Sequence, residues 1–344
     1  MIEVHVFNSM LNPTFKTESW FHILTFINGL VAPSFLFISG FAFQISSNRK
    51  LDELRTFGKA FRKKIFRILM ILLVGYSLHF PFRSVFAQGH SLSNINWQPF
   101  FNVDILQCIA VGLFILFLAR LIFKKDKIYD LFVLVFGLAV IFLSPVIWYI
   151  DFANLLHPFF ASYFNDKTGS LFPLFPWLGF MFMGAVACRN FILYLGKNNE
   201  KTYFNFVLIT GVVFILIGYF FQLKLFIKNY TGLNPSPLFF ILRLGYVFVL
   251  LVACWYYEKI RNPEKSFVTD VGKESLLVYW LHLMIIYGVF WSGKSLYLVI
   301  NHRFGIIECL LMTLGIGLLM IFAARLWSFS KIKWKLRKGL QEVL

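Results

Sequence analysis

The sequence is short of charged residues for a chain of its length. Only 14% of its 344 residues are Asp, Glu, Lys or Arg, whereas soluble domains carry about 25%. Hydrophobic residues reach 59%, so a soluble fold of this size would lack the polar groups needed to cover its surface. The composition therefore excludes an ordinary soluble globular domain and favours a protein that is solvated by lipid.

Cysteine is also scarce. The four cysteines, Cys108, Cys188, Cys254 and Cys309, lie in or near apolar runs and show no Cys-x-x-Cys spacing. Such cysteines most often serve as small buried apolar side chains. We therefore expect neither a structural disulfide nor a zinc site.

Apolar runs of about 20 residues recur along the chain, which is the length of a helix that crosses a hydrocarbon core of about 30 Å. Because backbone polar groups in lipid must pair within their own segment, these solid runs predict helices. The sequence predicts an all-α polytopic membrane protein, a bundle of about ten transmembrane helices that forms one domain over residues 1–344. The predicted spans are 1–12 (partial), 24–46, 64–83, 104–123, 129–149, 171–190, 204–222, 238–257, 274–292 and 306–328.

Basic residues are concentrated in alternate loops. Most of the 33 lysines and arginines lie in the loops around 48–67, 120–127, 189–201 and 259–273 and in the tail from 325 onward. This is the positive-inside pattern, which places the basic loops and both termini in the cytoplasm. The net charge of +17 is therefore explained by membrane topology, and we expect no nucleic-acid partner.

The first predicted span is too short to cross a bilayer alone, because residues 1–12 rise only about 18 Å as a helix. Either this helix is short and shielded by its neighbours, or it is truncated. We favour a natural start upstream of Met1.

Several polar side chains lie within the predicted spans or at their outer ends. A charged side chain at mid-bilayer costs at least about 2.5–3.5 kcal/mol, so such residues are candidates for function. With the orientation above, nearly all of them lie toward the outside, which favours a shared polar cavity open on that side. The candidates are Glu3, His5, Asn8, His22, Asn28, His79, Arg83, Asp104, Gln107, Arg243 and His282.

Other polar residues have a simpler interpretation. His90 and His302 lie in loops, and Asp151 and Glu308 lie near helix ends. Side chains in these places commonly extend to the membrane interface without a further role. We therefore leave them out of the candidate site.

A dense basic segment precedes the third predicted span on the cytoplasmic side. It consists of Arg62, Lys63, Lys64 and Arg67. A topological signal or a contact with anionic lipid explains it most simply. The functional alternative is a site for a cytosolic ligand that carries phosphate.

Four apolar stretches carry a family resemblance. They are NGLVAPSFLFISGFAF (28–43), DILQCIAVGL (104–113), LFPLFPWLGFMFMGAVA (171–187) and GKESLLVYWLHLMIIYG (272–288). In their order and spacing they resemble the catalytic domain of heparan-α-glucosaminide N-acetyltransferase and its bacterial relatives, within the wider transmembrane acyltransferase superfamily. The similarity extends over essentially the whole chain.

The resemblance implies an integral membrane acetyltransferase of a bacterial-type cytoplasmic (inner) membrane. Such a protein takes an acetyl group from cytosolic acetyl-CoA, without a metal, and delivers it to a hydroxyl or amine of an extracytoplasmic sugar or glycan. A histidine near the outer end of the first span acts as general base or acetyl carrier. Here His22 and His5 both match; His22 is slightly favoured for that role, and His5 would orient the substrate.

The remaining candidates are assigned by side of the membrane. The acceptor sugar would contact the outer polar residues, and acetyl-CoA would contact the cytoplasmic basic segment. The expected acceptor-binding residues are Asn8, Asn28, His79, Arg83, Asp104, Gln107, Arg243 and His282, and the expected acetyl-CoA-binding residues are Arg62, Lys63, Lys64 and Arg67.

Two other functions would use the same polar residues. A secondary transporter or flippase would use Arg243, Glu3 and Asp104 as a substrate or proton path, and broken helices at matching positions in two halves would favour it. The sequence offers one proline-interrupted stretch, SLFPLFPWLG (170–179), and no segment mirrors it. A haem protein would need paired histidines, and no predicted span carries a two-histidine repeat.

Overall fold

The computed structural model describes residues 1–49, 51–81, 85, 96–224, 236–261, 266–288 and 294–341, with the side chains of 222–224 and 335–341 left aside. Within these ranges the protein is helical and contains no strand. An isolated bridge joins Leu11 and Phe304. The predicted all-α class is confirmed.

The helices are numbered here in chain order, over the described residues. They are α1 (Ile2–Met10), α2 (Ser19–Asn28), α3 (Val31–Asn48), α4 (Leu51–Arg55), α5 (Lys59–His79), α6 (Gln98–Phe101), α7 (Ile105–Ile122), α8 (Asp126–Tyr149), α9 (Pro158–Ala161), α10 (Leu174–Leu195), α11 (Glu200–Lys224), α12 (Pro237–Arg261), α13 (Phe267–Lys273), α14 (Ser275–Tyr287), α15 (Leu296–Ile300) and α16 (Ile306–Gln341). Short 3-10 helices cover Pro13–Thr17 and Phe152–Asn154.

Seven helical segments of the described chain are long and apolar enough to cross a membrane. They are Ser19–Asn48, Gln98–Ile122, Asp126–Tyr149, Leu174–Leu195, Glu200–Phe221, Pro237–Arg261 and Ile306–Trp334. Each coincides with a predicted span, so the membrane class is confirmed. The other three predicted spans fall on α1, which is short, on α5, which opens with the basic segment, and on α14, a shorter apolar helix. The total of about ten spans and the cytoplasmic termini stay predictions.

The chain divides into two compact units. Unit 1 combines residues 1–29 with residues 258–344, and unit 2 covers residues 30–257. In unit 1, α1 packs against α16 and also contacts α14 and α15. Its core residues are Val6, Phe7, Met10, Leu11, Ile286, Ile300, Cys309, Ile316 and Met320. The packing of unit 1 therefore brings the N-terminal helix onto the C-terminal helices.

In unit 2, α10 packs extensively against α3 and α8. Two glycines permit the close approach of α3 and α10: a Cβ atom on Gly40 would overlap the carbonyl of Met181, and one on Gly184 would overlap the carbonyl of Phe37. Small residues commonly allow such backbone contact between membrane helices.

The helix α10 begins with an irregularity inside the proline-interrupted stretch. Phe175 departs from helical geometry, with φ −100° and ψ 122°. The indole of Trp148 donates a hydrogen bond of 2.7 Å to the Phe175 carbonyl. This bond supplies a partner for a backbone group at the interruption, as an apolar surrounding requires.

The cysteines only partly follow their prediction. Cys108, Cys188 and Cys309 are buried, as expected, whereas Cys254 is exposed. The prediction of burial is wrong for Cys254, because it lies on a face of α12 that no described residue covers.

Candidate active site

His5 of α1 lies among aromatic side chains of α14 in unit 1. Its Nδ1 atom is 3.3 Å from the Tyr287 hydroxyl. Its ring centroid is 5.4 Å from that of His282, and the ring of Tyr279 meets His282 edge-on at 5.6 Å. The structure thus brings together two residues of the predicted site, His5 and His282.

The orientation of His282 is set by its own helix. Its Nδ1 atom is 2.7 Å from the Val278 carbonyl, and because a carbonyl only accepts, Nδ1 carries the proton. In the neutral ring the lone pair is then on Nε2. This Nε2 atom is buried and has no hydrogen-bond partner among the described residues. With 1% of the residue exposed, His282 is held in one tautomer beside His5.

His5 is less buried than His282, so a substrate reaches it more easily. The direction of its contact with Tyr287 decides its chemistry. If Nδ1–H donates to the Tyr287 oxygen, Nε2 keeps its lone pair and can accept a proton; the reverse direction leaves Nε2 protonated. Because the Tyr287 hydroxyl and the His5 ring can each donate or accept, both directions are accessible at the 3.3 Å separation.

The other candidates in unit 1 do not join this cluster directly. The exposed side chain of His22 makes no hydrogen bond or ring contact with a described residue. The Asn28 amide donates to Glu3 Oε1 at 3.3 Å. Asn8 is exposed, and its carbonyl accepts a hydrogen bond of 2.8 Å from Lys16 Nζ.

A second polar group lies in unit 2, where α5 ends and α7 begins. His79 Nε2 is 3.7 Å from Asp104 Oδ2, and these side chains are 26% and 14% exposed. Asp104 and the buried Gln107 form a capping box that satisfies the first backbone N–H groups of α7. Asp104 and Gln107 therefore have a structural role at the start of α7, and the His79 ring lies next to Asp104.

The remaining acceptor-site candidates are Arg243 and Arg83. The Arg243 guanidinium lies 4.4 Å from the centroid of the Phe239 ring, which is a cation–π arrangement. Arg83 lies outside the described residues, as does His90. The acceptor-binding roles predicted for Arg243 and Arg83 stay predictions.

The basic segment is divided by the structure. Arg62, Lys63 and Arg67 are exposed. Lys64 instead donates a hydrogen bond of 2.6 Å to Ser46 Oγ and lies 4.4 Å from the Phe43 ring centroid. Three of the four side chains are therefore available to a phosphate-bearing ligand, whereas Lys64 is engaged with α3.

Sequence reasoning missed the tyrosines of this site. Tyr279 precedes His282 by three residues, a spacing that places both on one side of a helix, and Tyr287 follows on the same helix. Both belong to the stretch 272–288 that carries the family resemblance. The spacing was a usable signal for Tyr279, whereas the contact between Tyr287 and α1 required the tertiary structure.

Sequence reasoning also missed a buried ion-pair network in unit 2. Arg120 is 2% exposed, and its guanidinium pairs with Asp126 at 2.9 Å. It also donates to Asn48 Oδ1 at 2.7 Å and lies 4.4 Å from the Tyr129 ring centroid. Arg189 approaches the same Asp126 at 3.3 Å. Arg120 was counted among the loop charges, and its burial was not predicted.

The fold and this histidine site define an all-helical membrane protein with a candidate base next to a second, oriented histidine. The family model "Heparan-alpha-glucosaminide N-acetyltransferase, catalytic" matches residues 1–219. Because the match covers more than half of the chain, the protein belongs to this family, which indicates an acetyltransferase. A comparison with curated proteins found no match.

The family match contains both histidines that the sequence favoured, His5 and His22. It ends before α12, so Arg243, His282 and Tyr287 lie outside the matched residues. The geometry of the site therefore adds residues that the family match does not cover.

Proposed function

We propose that this membrane acetyltransferase moves an acetyl group from cytosolic acetyl-CoA to a hydroxyl or amine of an extracytoplasmic sugar or glycan, and that His5 is the histidine that meets the substrate. The observation that carries the proposal is the cluster of His5, His282 and Tyr287 in a chain of an acetyltransferase family. We also propose a bacterial-type cytoplasmic membrane as its location.

In the direct route, the acceptor oxygen or nitrogen attacks the thioester carbonyl of acetyl-CoA while His5 Nε2 removes its proton. The carbon–sulfur bond breaks, and the CoA thiolate takes up a proton. Such a positioned base typically contributes about 10²–10⁴-fold in rate. Tyr287 supports this role when it accepts from Nδ1–H, because Nε2 then keeps its lone pair.

In the carrier route, His5 Nε2 itself attacks the thioester and releases CoA. The acceptor then attacks the acetyl-imidazole, and the histidine is regenerated. Both routes use the same atom, so the proposal holds for either. In both routes, His282 is a positioning residue, because its ring packs beside His5 and is fixed by Val278.

The donor and acceptor sites extend the proposal to both sides of the membrane. Arg62, Lys63 and Arg67 supply exposed positive charge for the phosphates of acetyl-CoA. The acceptor-binding roles of His79 and Asp104, which lie together in unit 2, stay predictions.

The purified full-length protein in detergent provides the test. With labelled acetyl-CoA we expect release of free CoA thiol that depends on an added glucosamine or methyl glucoside, with label in the sugar. Samples without sugar serve as controls; in them, conversion of added labelled CoA into labelled acetyl-CoA, with unlabelled acetyl-CoA as the acetyl source, would indicate the carrier route. Absence of both acetyl transfer and exchange with every amino and hydroxyl sugar tried would contradict the proposal.

A further inference from the structure

A pocket of about 370 Å³ lies between α3, α8 and α10 of unit 2. This volume is within the range of small-molecule sites, about 300–1,000 Å³. Its lining includes Gln44, Asp130 and Arg189 on the polar part and Leu131, Leu134 and Leu193 on the apolar part. All of the residues that line it belong to unit 2.

The polar part of the pocket offers an unused hydrogen-bond donor. Gln44 is 1% exposed, and its Oε1 atom accepts from the Tyr129 hydroxyl at 3.0 Å. Its Nε2 atom has no partner among the described residues. A buried amide N–H without a partner is unfavourable, so a ligand with an acceptor oxygen would relieve this cost.

The charges around this donor carry both signs. Arg189 Nε is 2.9 Å from Asp130 Oδ2, and Arg189 also approaches Asp126 at 3.3 Å. Asp126 is paired in addition with Arg120. Because two arginines are balanced by two carboxylates, the pocket presents a cation and an anion side by side without net charge.

The apolar part of the pocket opens on the outer faces of candidate spans. Leu131 is 60% exposed, Leu134 38% and Leu193 51%, and they belong to the segments Asp126–Tyr149 and Leu174–Leu195. Faces of spanning helices that no protein covers meet lipid chains. The ligand best suited to this opening is therefore an amphiphile with apolar tails along the leucines and a headgroup directed inward.

We propose that this pocket binds a zwitterionic phospholipid with a primary ammonium group, phosphatidylethanolamine. Its phosphate would accept hydrogen bonds from Gln44 Nε2 and Arg189, and its ammonium would donate to Asp130. A lipid with net negative charge would place its excess charge against Asp130 and Asp126. A quaternary ammonium headgroup would lack the N–H needed to bond Asp130.

The test is retention of lipid by the purified full-length protein, measured by native mass spectrometry after incubation with lipids of identical acyl chains. We expect one bound phosphatidylethanolamine at concentrations where phosphatidylcholine and phosphatidylglycerol are each retained at least about fivefold less. Equal retention of the three lipids would contradict the proposal, and so would preferred retention of phosphatidylglycerol. Displacement of the lipid by CoA would also contradict it.

One substitution at the mouth of the pocket and one matched control away from it make the site assignment specific. Leu193→Trp narrows the pocket and leaves the ion pairs intact, so we expect it to lower retention of phosphatidylethanolamine at least about fivefold. Leu195→Trp is the matched control, because Leu195 is 48% exposed on the same helix end and does not line the pocket. Equal retention by the two variants would overturn the assignment of the lipid to this pocket.

A third substitution tests the headgroup contact. Asp130→Asn removes the carboxylate that would meet the ammonium, so we expect the preference for phosphatidylethanolamine over phosphatidylcholine to disappear. Preserved preference in a folded Asp130→Asn protein would overturn the proposed contact. Lipid retention is measured without acetyl transfer. A failure of the lipid proposal can therefore be distinguished from a failure of the proposed function.

Discussion

Substitution of His5 by alanine is expected to lower acetyl transfer at least about 100-fold, because a positioned base contributes about 10²–10⁴ in rate. His5 contacts Tyr287 and His282, so its ring is held where a substrate can meet it. For His22→Ala we expect a change of less than about threefold, because the exposed His22 side chain has no described neighbour that orients it. The measurement is kcat and KM for acetyl transfer by the purified variants.

The controls separate a chemical role from a packing role. Tyr287→Phe keeps the ring and removes the hydroxyl, so we expect an intermediate loss of about tenfold in kcat with little change in KM for acetyl-CoA. Val4→Ala, one position earlier in α1, should leave the rate near that of the unsubstituted protein. A large loss in His22→Ala with full activity in His5→Ala would reverse the two roles and contradict the assignment.

Arg120→Met is expected to lower the free energy of unfolding by about 1–3 kcal/mol, because it removes the hydrogen bonds that the buried guanidinium donates to the Asp126 carboxylate and the Asn48 amide oxygen. The change leaves Asn48 and Asp126 without the guanidinium that bonds both. Water and Arg189 compensate part of this loss, since Asp126 is 45% exposed. The measurement is the thermal midpoint in detergent together with the fraction that elutes as folded protein.

Arg325→Met provides a matched control in another helix. Arg325 pairs with Asp270 at 3.3 Å, and these side chains are 58% and 35% exposed. Exposed pairs of this kind contribute about 0–1 kcal/mol, so its thermal midpoint should change little. Similar midpoints for Arg120→Met and Arg325→Met would show that the buried network does not stabilise unit 2 in the way proposed.

The structural class of this protein was predictable because the backbone polar groups of a segment in lipid must be hydrogen-bonded within the protein. Long apolar runs must form helices, and seven of the predicted spans coincide with helices long enough to cross a membrane. The boundaries were less accurate. The predicted span 24–46 is built from α2 and α3, which meet around Gly29 and Leu30, and the predicted span 274–292 has its helix end at Tyr287.

The candidate site was predictable only in part. The alternation of charge between loops predicts how deep each polar residue lies in the membrane, but it does not predict which helix faces contact each other. Depth placed His5 and His282 on the list, whereas their contact and the role of Tyr287 depend on how α1 packs on α14. For Arg120 the sequence predicted an exposed loop residue, and the structure shows a buried one. Its neighbours in sequence resemble a cytoplasmic loop, but α7 continues to Ile122 and Arg120 is one of its buried residues.

The most direct test of trans-bilayer acetyl transfer uses sealed vesicles that hold the full-length protein in one orientation. Labelled acetyl-CoA is added to the face that carries the basic loops, and the acceptor sugar is trapped on the other face. We expect labelled sugar to accumulate in the trapped compartment, and none to form when acetyl-CoA is supplied only to the opposite face. Label that forms only when donor and acceptor share one compartment would contradict this function.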